Sequence, residues 1–415
     1  MIDSNLLGTN EYWETSYNRL MLKSNISEAD KILLTKYMSF ERDTIINALL
    51  DGTYEWSVPR KLLINKHGTN KKRTVYVYSP KDRLVLGVLY HALTTEFANR
   101  ISPYCYSYKT GTSTNDAIKF IRDYSTDIKY YGVKLDIHAY FNSVNKETLV
   151  SVINDLFPEK SGFKKTIENL FYSDEVSYKG ELIQEYKSLT PGCPVASFLA
   201  NYCLKDLDFH FQNKGVLYAR YSDDIIILED TKEKVDEALA YVRSFITNLG
   251  LEINPDKYEY FSPEDDITFL GLKLCSNGKI DISDHAKAKI KKEIHRWCRK
   301  GRKDIEMYHS PYIGVCKKIN NKINNKNFKC YIRNEGTFGW CHYAFRYITT
   351  IDTLKEIDLY TKERLRYVKT GKNNKANFKK VSEEEFKEMG WVSLVQLFYL
   401  YKKDFDYYCE VISLL

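Results

Sequence analysis

Apolar positions along this chain alternate between two periods. Val216-Leu217-Tyr218 and Ile225-Ile226-Ile227-Leu228 are short unbroken apolar runs, the pattern of strands covered on both faces, and the turn between them carries Tyr221-Ser222-Asp223-Asp224. Tyr130 to Asp136 reads as another short buried strand, ending on an aspartate just before the chain leaves the sheet at Ile137-His138-Ala139-Tyr140-Phe141. Around these runs the spacing becomes helical. Glu28 to Leu50 repeats through Ile32, Leu33, Tyr37, Ile45, Ile46 and Leu49, and Arg83 to Ala98 and Val195 to Phe211 follow the same period. Lys232 to Leu249 puts Val235, Leu239, Val242 and Phe245 on one face and stops at Gly250, a residue suited to the left-handed end of a helix. Further on, Ser283 or Asp284 caps a helix whose apolar side is Ile290, Ile294, Trp297 and Cys298. Strands interspersed with helices in this way predict an α+β fold.

Length and charge add organisation. A chain of 415 residues exceeds one core and is expected to form two or three lobes around a cleft. The net charge of +7 is modest, but His285 to Cys330 holds fourteen Lys/Arg against three acidic residues, more than the whole chain's excess. A stripe of that kind is the electrostatic footprint of a phosphate backbone. Asn320 to Lys329 is a low-complexity connection. The nine cysteines include no C-x-x-C pair, which argues against zinc ribbons and disulfide frameworks and for reduced thiols. The amino terminus has no basic-then-apolar signal region and no apolar run reaches membrane-spanning length, so a cytoplasmic protein without membrane association is expected.

The candidate chemistry lies at the strand ends. Adjacent carboxylates beside a buried sheet are costly unless cations neutralise them, and Asp136 stands at the end of a strand suited to lie next to Asp223. Two divalent ions about 3.5–4 Å apart, held by such carboxylates, stabilise the attacking and leaving oxygens of an in-line phosphoryl transfer. Magnesium suits the site because it takes oxygen ligands and keeps positions for water and phosphate, with Mn2+ as the substitute ion.

The order of these motifs resembles reverse transcriptases from about Asp51 onward. Leu50 to Val85 is similar to the family's fingers segment, Lys134 to Phe141 (KLDIHAYF) to motif A, Thr190 to Leu204 (TPGCPVASFLANYCL) to motif B, and YSDD to motif C. Leu249 to Phe261 resembles motif D, and Phe269 to Leu274 (FLGLKL) the primer grip. The resemblance implies a right-hand polymerase architecture of fingers, palm and thumb, with an antiparallel palm sheet and a helical C-terminal thumb and extension. The expected divisions are 1–130 for N-terminal helices and fingers, 131–275 for the palm with motifs A to E, and 276–415 for the basic helical thumb and extension; part of the fingers is inserted between motifs A and B.

It also implies roles. Asp136, Asp223 and Asp224 become the catalytic carboxylates and metal ligands, with the Ile137 carbonyl as a backbone ligand. Lys66 and Arg73 have the spacing of two cations that clamp the incoming triphosphate, where developing charge needs fixed positive groups. Gly192 and Pro194 belong to the loop that contacts the template base and the sugar. Lys257 falls where the family has a lysine proposed to protonate the leaving pyrophosphate. Phe141, five residues after the motif A aspartate, puts an aromatic ring where related RNA polymerases place an acceptor for the ribose 2′-hydroxyl, so deoxynucleotides are expected; core packing accounts for one ring of the Tyr140-Phe141 pair. Pro191 precedes Gly192 where many members have glutamine, and Lys109 stands where relatives often have arginine. Short signatures typical of retron enzymes are missing after motifs A and E.

The expectation is an RNA-directed DNA polymerase that uses magnesium, an RNA template, a DNA product or primer and deoxynucleoside triphosphates. The C-terminal region from Gly339 is similar to the thumb of group II intron-type enzymes, and its ending to free-standing bacterial enzymes of antiviral defence that act with a partner non-coding RNA. Alternatives left open are an intron-encoded enzyme, a template-independent polymerase primed on a tyrosine, and a catalytically silent RNA-binding scaffold. A homo-oligomer is also left open.

Overall fold

In this computed structural model the described residues are 2–23, 26–65, 72–109, 111–125, 130–319, 340–372, 380–388 and 390–414. Lys66 and the Asn320 to Lys329 connection lie outside them. The chain folds as two compact units, Met1–Ser262 and Pro263–Leu415. The division expected after residue 275 therefore falls inside the second unit.

The first unit holds two sheets. Strands β1 (Arg60–Asn65) and β2 (Lys72–Val77) form an antiparallel hairpin, and β1 continues through one parallel pairing, Arg60 with Ser177, to β4 (Glu175–Tyr178) and then β5 (Glu181–Gln184). The palm sheet is built from β3 (Tyr131–Asp136), β6 (Leu217–Tyr221), β7 (Asp224–Glu229) and β8 (Glu259–Phe261), in the order β6-β7-β3-β8 and antiparallel throughout. Its central strands are apolar runs because both faces are covered: Val133, Leu135, Ile225, Ile226 and Ile227 are all fully buried. Gly132 is required where β3 meets its neighbour, since a Cβ there would lie 2.9 Å from the Ile227 carbonyl oxygen and closer still to Leu228.

Helices cover the sheets. Pro80–Glu96, Pro194–Cys203 and Lys232–Asn248 carry many of the buried aliphatic residues of one contiguous core. Two helical expectations change. Val195 to Phe211 is not one helix but two, Pro194–Cys203 and Lys205–Lys214, divided at Leu204. The Ala200 carbonyl accepts the Tyr140 hydroxyl at 2.6 Å and the Asn201 carbonyl accepts the Leu204 amide at 3.2 Å, so the regular ladder closes early. Glu28 to Leu50 likewise divides into Glu28–Phe40 and Arg42–Asp51. In the first of these Leu34 is the buried residue, while Ile32 is 70% exposed.

The second unit opens with a small antiparallel sheet, β9 (Ile267–Phe269), β10 (Leu272–Leu274) and β11 (Ile280–Ile282), in the order β11-β10-β9. Helix Asp284–Tyr308 follows, capped by Ser283, whose hydroxyl accepts from the Ala286 amide at 3.3 Å; Ile290, Ile294, Trp297 and Cys298 are buried as expected. It packs on helix Asp352–Thr370, and Trp340–Tyr347, Glu383–Glu388, Leu394–Lys403 and Phe405–Leu414 complete the unit. The α+β class expected from sequence is the class observed. Among the described residues no helix is long and apolar enough to cross a membrane, and the eight described cysteines are free thiols.

Candidate active site

The β6–β7 hairpin closes on the pair Tyr221 and Asp224, leaving Ser222 and Asp223 as its two-residue tip. Ser222 takes φ +61°, a conformation that few side-chain-bearing residues adopt. On the other side β7 pairs with β3 in a register that sets Asp136 directly opposite Asp224. The next residue extends the match, since the Ile137 amide donates to the Asp223 carbonyl at 3.1 Å. Three carboxylates from distant parts of the sequence thus meet at one end of the palm sheet. A slip of one residue would send Asp224 to the opposite face of the sheet, so the pairing itself is what gathers them.

Motif D closes the other flank. Ile137 forms an isolated bridge with Ile253, flanked by hydrogen bonds from the His138 amide to the Glu252 carbonyl (2.8 Å) and from the Asn254 amide to the Asp136 carbonyl (2.7 Å). That bridge does not use the Ile137 carbonyl, the group assigned as a backbone ligand. The Asn254 side-chain amide donates to Asp136 Oδ2 at 3.0 Å, and Lys257 Nζ forms an ion pair with Asp136 Oδ1. Lys257 therefore sits against the carboxylates, and its partner Asp136 is only 3% exposed. Sequence reasoning missed Asn254; its place three residues before Lys257 in INPDK, on the same short turn, is the signal that marks it.

Charge at the site is uncompensated. Burial pushes the Asp224 carboxyl up to about 6, with the Asp223 and Asp136 charges adding to the effect. Asp223 is raised by burial and then by Asp136. Burial works to lower the Lys257 pKa, but its hydrogen bond to Asp136 and the three carboxylates together raise it. Lys257, with a smaller effect from Lys134, faces three carboxylates, which leaves the site net negative. Among the described residues no group of three or more acidic, histidine or cysteine side chains is arranged to hold a metal ion by itself. The donor set still fits magnesium, because that ion takes hard oxygens and is commonly held by one or two carboxylates, with water and phosphate oxygens completing its shell.

The remaining assigned residues form a neighbouring group. Tyr140 is buried with its hydroxyl on the Ala200 carbonyl, so it is the packing member of the aromatic pair. Phe141 is partly exposed, lies edge-on to Tyr108 with ring centroids 6.1 Å apart, and accepts at its carbonyl from the Leu189 amide at 3.1 Å. Leu189 leads into the motif B loop. There Gly192 takes φ +105°, and a Cβ would lie 2.9 Å from Val75 Cγ1 and 3.0 Å from the Tyr76 carbonyl oxygen, so glycine is what lets the loop lie on β2. The Tyr76 amide donates to the Pro191 carbonyl at 2.9 Å, and Pro194 starts the following helix. Arg73 is exposed on β2, opposite Ile64. Gly192 and Pro194 also line a cavity of about 310 Å³ with Val75, Tyr76, Arg19 and Arg83. Lys23 borders the same cavity and is lowered by burial and by Arg83 and Arg19, a crowd of cations suited to an anionic strand. Lys109 points elsewhere, donating to the Ser102 carbonyl at 3.1 Å.

Known proteins resemble this chain over part of its length. The chain is 22% identical over 308 residues to an uncharacterized 91 kDa protein in a cob intron of Schizosaccharomyces pombe, covering 59% of this chain and 37% of that one. It is 25% identical over 239 residues to the retron Ec86 reverse transcriptase of Escherichia coli, covering 56% of this chain and 68% of that one. The chain thus spans about a third of the first relative and about two thirds of the second. The sequence profile of the reverse transcriptase (RNA-dependent DNA polymerase) family matches residues 64–274, half of the chain, from the end of β1 to β10, and the chain belongs to that family.

Proposed function

We propose that this protein is an RNA-directed DNA polymerase that extends a DNA 3′ end with deoxynucleoside triphosphates. The observation that carries the reading is the β3–β7 register, which sets Asp136 against Asp224 with Asp223 one residue away, inside the segment matched by the family. In this reading the 3′-hydroxyl attacks the α-phosphate and pyrophosphate leaves. Asp136, Asp223, Asp224 and the Ile137 carbonyl would hold two magnesium ions. Bound there, magnesium lowers the pKa of the attacking hydroxyl and neutralises charge on the leaving oxygens. Arg73, with Lys66, clamps the triphosphate, and Lys257 is placed to give its proton to the departing pyrophosphate. Phe141 crowds a 2′-hydroxyl and offers it no acceptor, which favours deoxynucleotides. Gly192 and Pro194 contact the template beside the cation-lined cavity.

A homopolymer RNA template with a DNA primer, Mg2+ and labelled deoxynucleotide tests this. Wild type should incorporate, and Asp223→Ala should lose at least a thousandfold, about 4 kcal/mol of barrier. Equal activity in the two would reject the carboxylate assignment.

For the biological setting, the reading is a bacterial enzyme of antiviral defence working with a partner non-coding RNA. The retron reverse transcriptase among the relatives supports a bacterial setting, and the cob-intron relative favours the second reading, an intron enzyme. Sequencing the nucleic acid that copurifies separates them. One structured RNA supports defence, intron RNA supports the second reading, and DNA joined to a tyrosine supports protein priming.

A further inference from the structure

Beneath the hairpin tip lies a buried charged network built around Arg220. Arg220, on β6, is fully buried, as is its partner Asp208 on helix Lys205–Lys214. The guanidinium grips Asp208 with two bonds, Nε to Oδ1 at 2.8 Å and Nη2 to Oδ2 at 2.6 Å. Nη2 also reaches the Asn201 carbonyl at 3.3 Å, while Nη1 donates to Asn201 Oδ1 at 3.3 Å and to the Ser222 carbonyl at 3.1 Å. All five donors of the arginine are thus placed, as a fork and not a point charge allows. Ser107 completes the frame. Its hydroxyl donates to Asn201 Oδ1 at 3.0 Å and accepts the Ser222 amide at 2.8 Å, and Asn201 Nδ2 returns a bond to the Ser107 carbonyl at 2.6 Å.

Ser222 therefore has its amide held by Ser107 and its carbonyl by Arg220, and it is the residue held at positive φ immediately before Asp223. A backbone in that sparsely populated region persists only where its surroundings over-determine it. The Ser222 carbonyl belongs to the peptide that leads into Asp223, so fixing that carbonyl fixes the plane from which the Asp223 side chain departs. We infer that Arg220 and Ser107 are positioning residues that hold the Ser222–Asp223 peptide and so preset Asp223 for a divalent cation. The inference rests on the reading of Asp136, Asp223 and Asp224 as the cation site. It assigns the buried Arg220–Asp208 pair a role in metal affinity and not in stability alone, in the way that outer partners orient the ligands of a metal.

The test uses the full chain without nucleic acid, titrated with Mn2+ and read by the electron paramagnetic resonance of the free ion. Ser107→Ala and Arg220→Lys should each weaken Mn2+ binding about 10–100-fold. The Mg2+ concentration for half-maximal incorporation should rise in step, with the KM for deoxynucleotide within about twofold. Tyr218→Phe is the control for structure alone. Its hydroxyl donates to Asp208 Oδ1 at 2.7 Å but has no bond to Ser222, so this variant should lose thermal stability and keep wild-type Mn2+ affinity. Wild-type Mn2+ affinity in folded Ser107→Ala, or an equal loss in Tyr218→Phe, overturns the inference. If Asp223→Ala binds Mn2+ as wild type does, the carboxylate reading falls and takes the inference with it. If Asp223→Ala loses the ion while Ser107→Ala and Arg220→Lys retain it, only the positioning role falls. Should Arg220→Lys fail to fold, Ser107→Ala decides, because it removes the amide's acceptor and leaves the ion pair intact.

Discussion

Asp358 in the second unit and Asp224 in the palm are both carboxyls raised by burial, yet their surroundings treat them in opposite ways. Asp358 is met by the Ser393 hydroxyl at 2.6 Å and by the Leu394 and Val395 amides at 2.9 and 3.3 Å, so it caps helix Leu394–Lys403 and its charge is satisfied by dipoles. Asp82 in the first unit is treated likewise, accepting from the Tyr54 hydroxyl at 2.8 Å, the Ser57 amide at 3.0 Å and the Ser79 hydroxyl at 2.9 Å. Asp224 instead faces two further carboxylates, whose charge Lys257 and, less strongly, Lys134 offset only in part. A carboxylate fully provided for by its own chain is a structural part. A cluster in which carboxylates outnumber cations is what the proposed cation site would use, and the palm builds its cluster around a register pair.

Lys257 is the point at which this contrast is most easily broken. If it only neutralised Asp136, Lys257→Met would tighten Mg2+ binding and leave turnover intact. As the proton donor to pyrophosphate it should cost about a hundredfold in kcat, the usual size of a general-acid contribution, with Mg2+ affinity unchanged or tighter. Single-turnover incorporation across a Mg2+ titration reads both quantities.

Stability sharpens the same comparison. Asp358→Ala strands a hydroxyl, one buried amide and one half-buried amide and should cost about 1–3 kcal/mol by denaturant unfolding. Asp224→Asn removes like-charge repulsion, so without divalent ions it should be neutral or stabilising by up to about 1 kcal/mol. The reverse ranking would mean that the palm carboxylates are structural and Asp358 is not.

How much of this was legible in the sequence depends on how far apart the cooperating residues lie. The strands ending on Asp136 and flanking YSDD were readable because covered strands are apolar without interruption and their ends are marked by polar residues. The cap of helix Asp284–Tyr308 and its four buried residues were readable because capping and helical period are local. The division of the motif B helix was not, since it depends on Tyr140, sixty residues away, taking the Ala200 carbonyl. Asn254 meets Asp136 across 118 residues, so its place beside Lys257 in INPDK marked the turn but not its partner. In Glu28–Phe40 the run Ile32-Leu33-Leu34 fits more than one helical face, and the break at Glu41 means that the later stripe does not fix its phase; packing selected Leu34.

A buried neutral base in the second unit gives a smaller effect. His342 lies among the rings of Tyr401 and Phe405, with centroids 5.4 Å from each, and burial first, then Arg346, lowers its pKa to about 4. Because the folded pKa is below the unfolded value near 6.5, the folded state resists protonation. The stabilisation is whole above pH 6.5 and is lost as pH falls from there towards 4. Thermal unfolding should lose on the order of 1 kcal/mol between pH 7 and 5, and His342→Phe should remove that part of the dependence.

The cations of helix Asp284–Tyr308 extend the contrast, because exposed charges of this kind add little to the fold. Lys287 and Lys291 both reach Glu356 at 3.2 Å, and Arg296 reaches Glu293 at 2.6 Å. Lys289, Arg299, Lys300 and Lys303 are exposed and, among the described residues, have no ion-pair partner. Lys289, Arg299 and Lys303 repeat at helical spacing, with Lys300 beside them, so the four present one positive face. If that face lies along a phosphate backbone, each neutralisation should lower the slope of log affinity against log salt by about 0.9, as one counterion fewer is released. Fluorescence anisotropy on an RNA–DNA duplex should find this for Lys300→Gln, an effect of a few-fold in affinity at moderate salt, with Lys289→Gln adding to it. Lys287→Gln should leave the slope nearly unchanged, because that charge is already committed to Glu356. Equal slopes for Lys300→Gln and Lys287→Gln would mean that this face carries solvated charge and binds no strand.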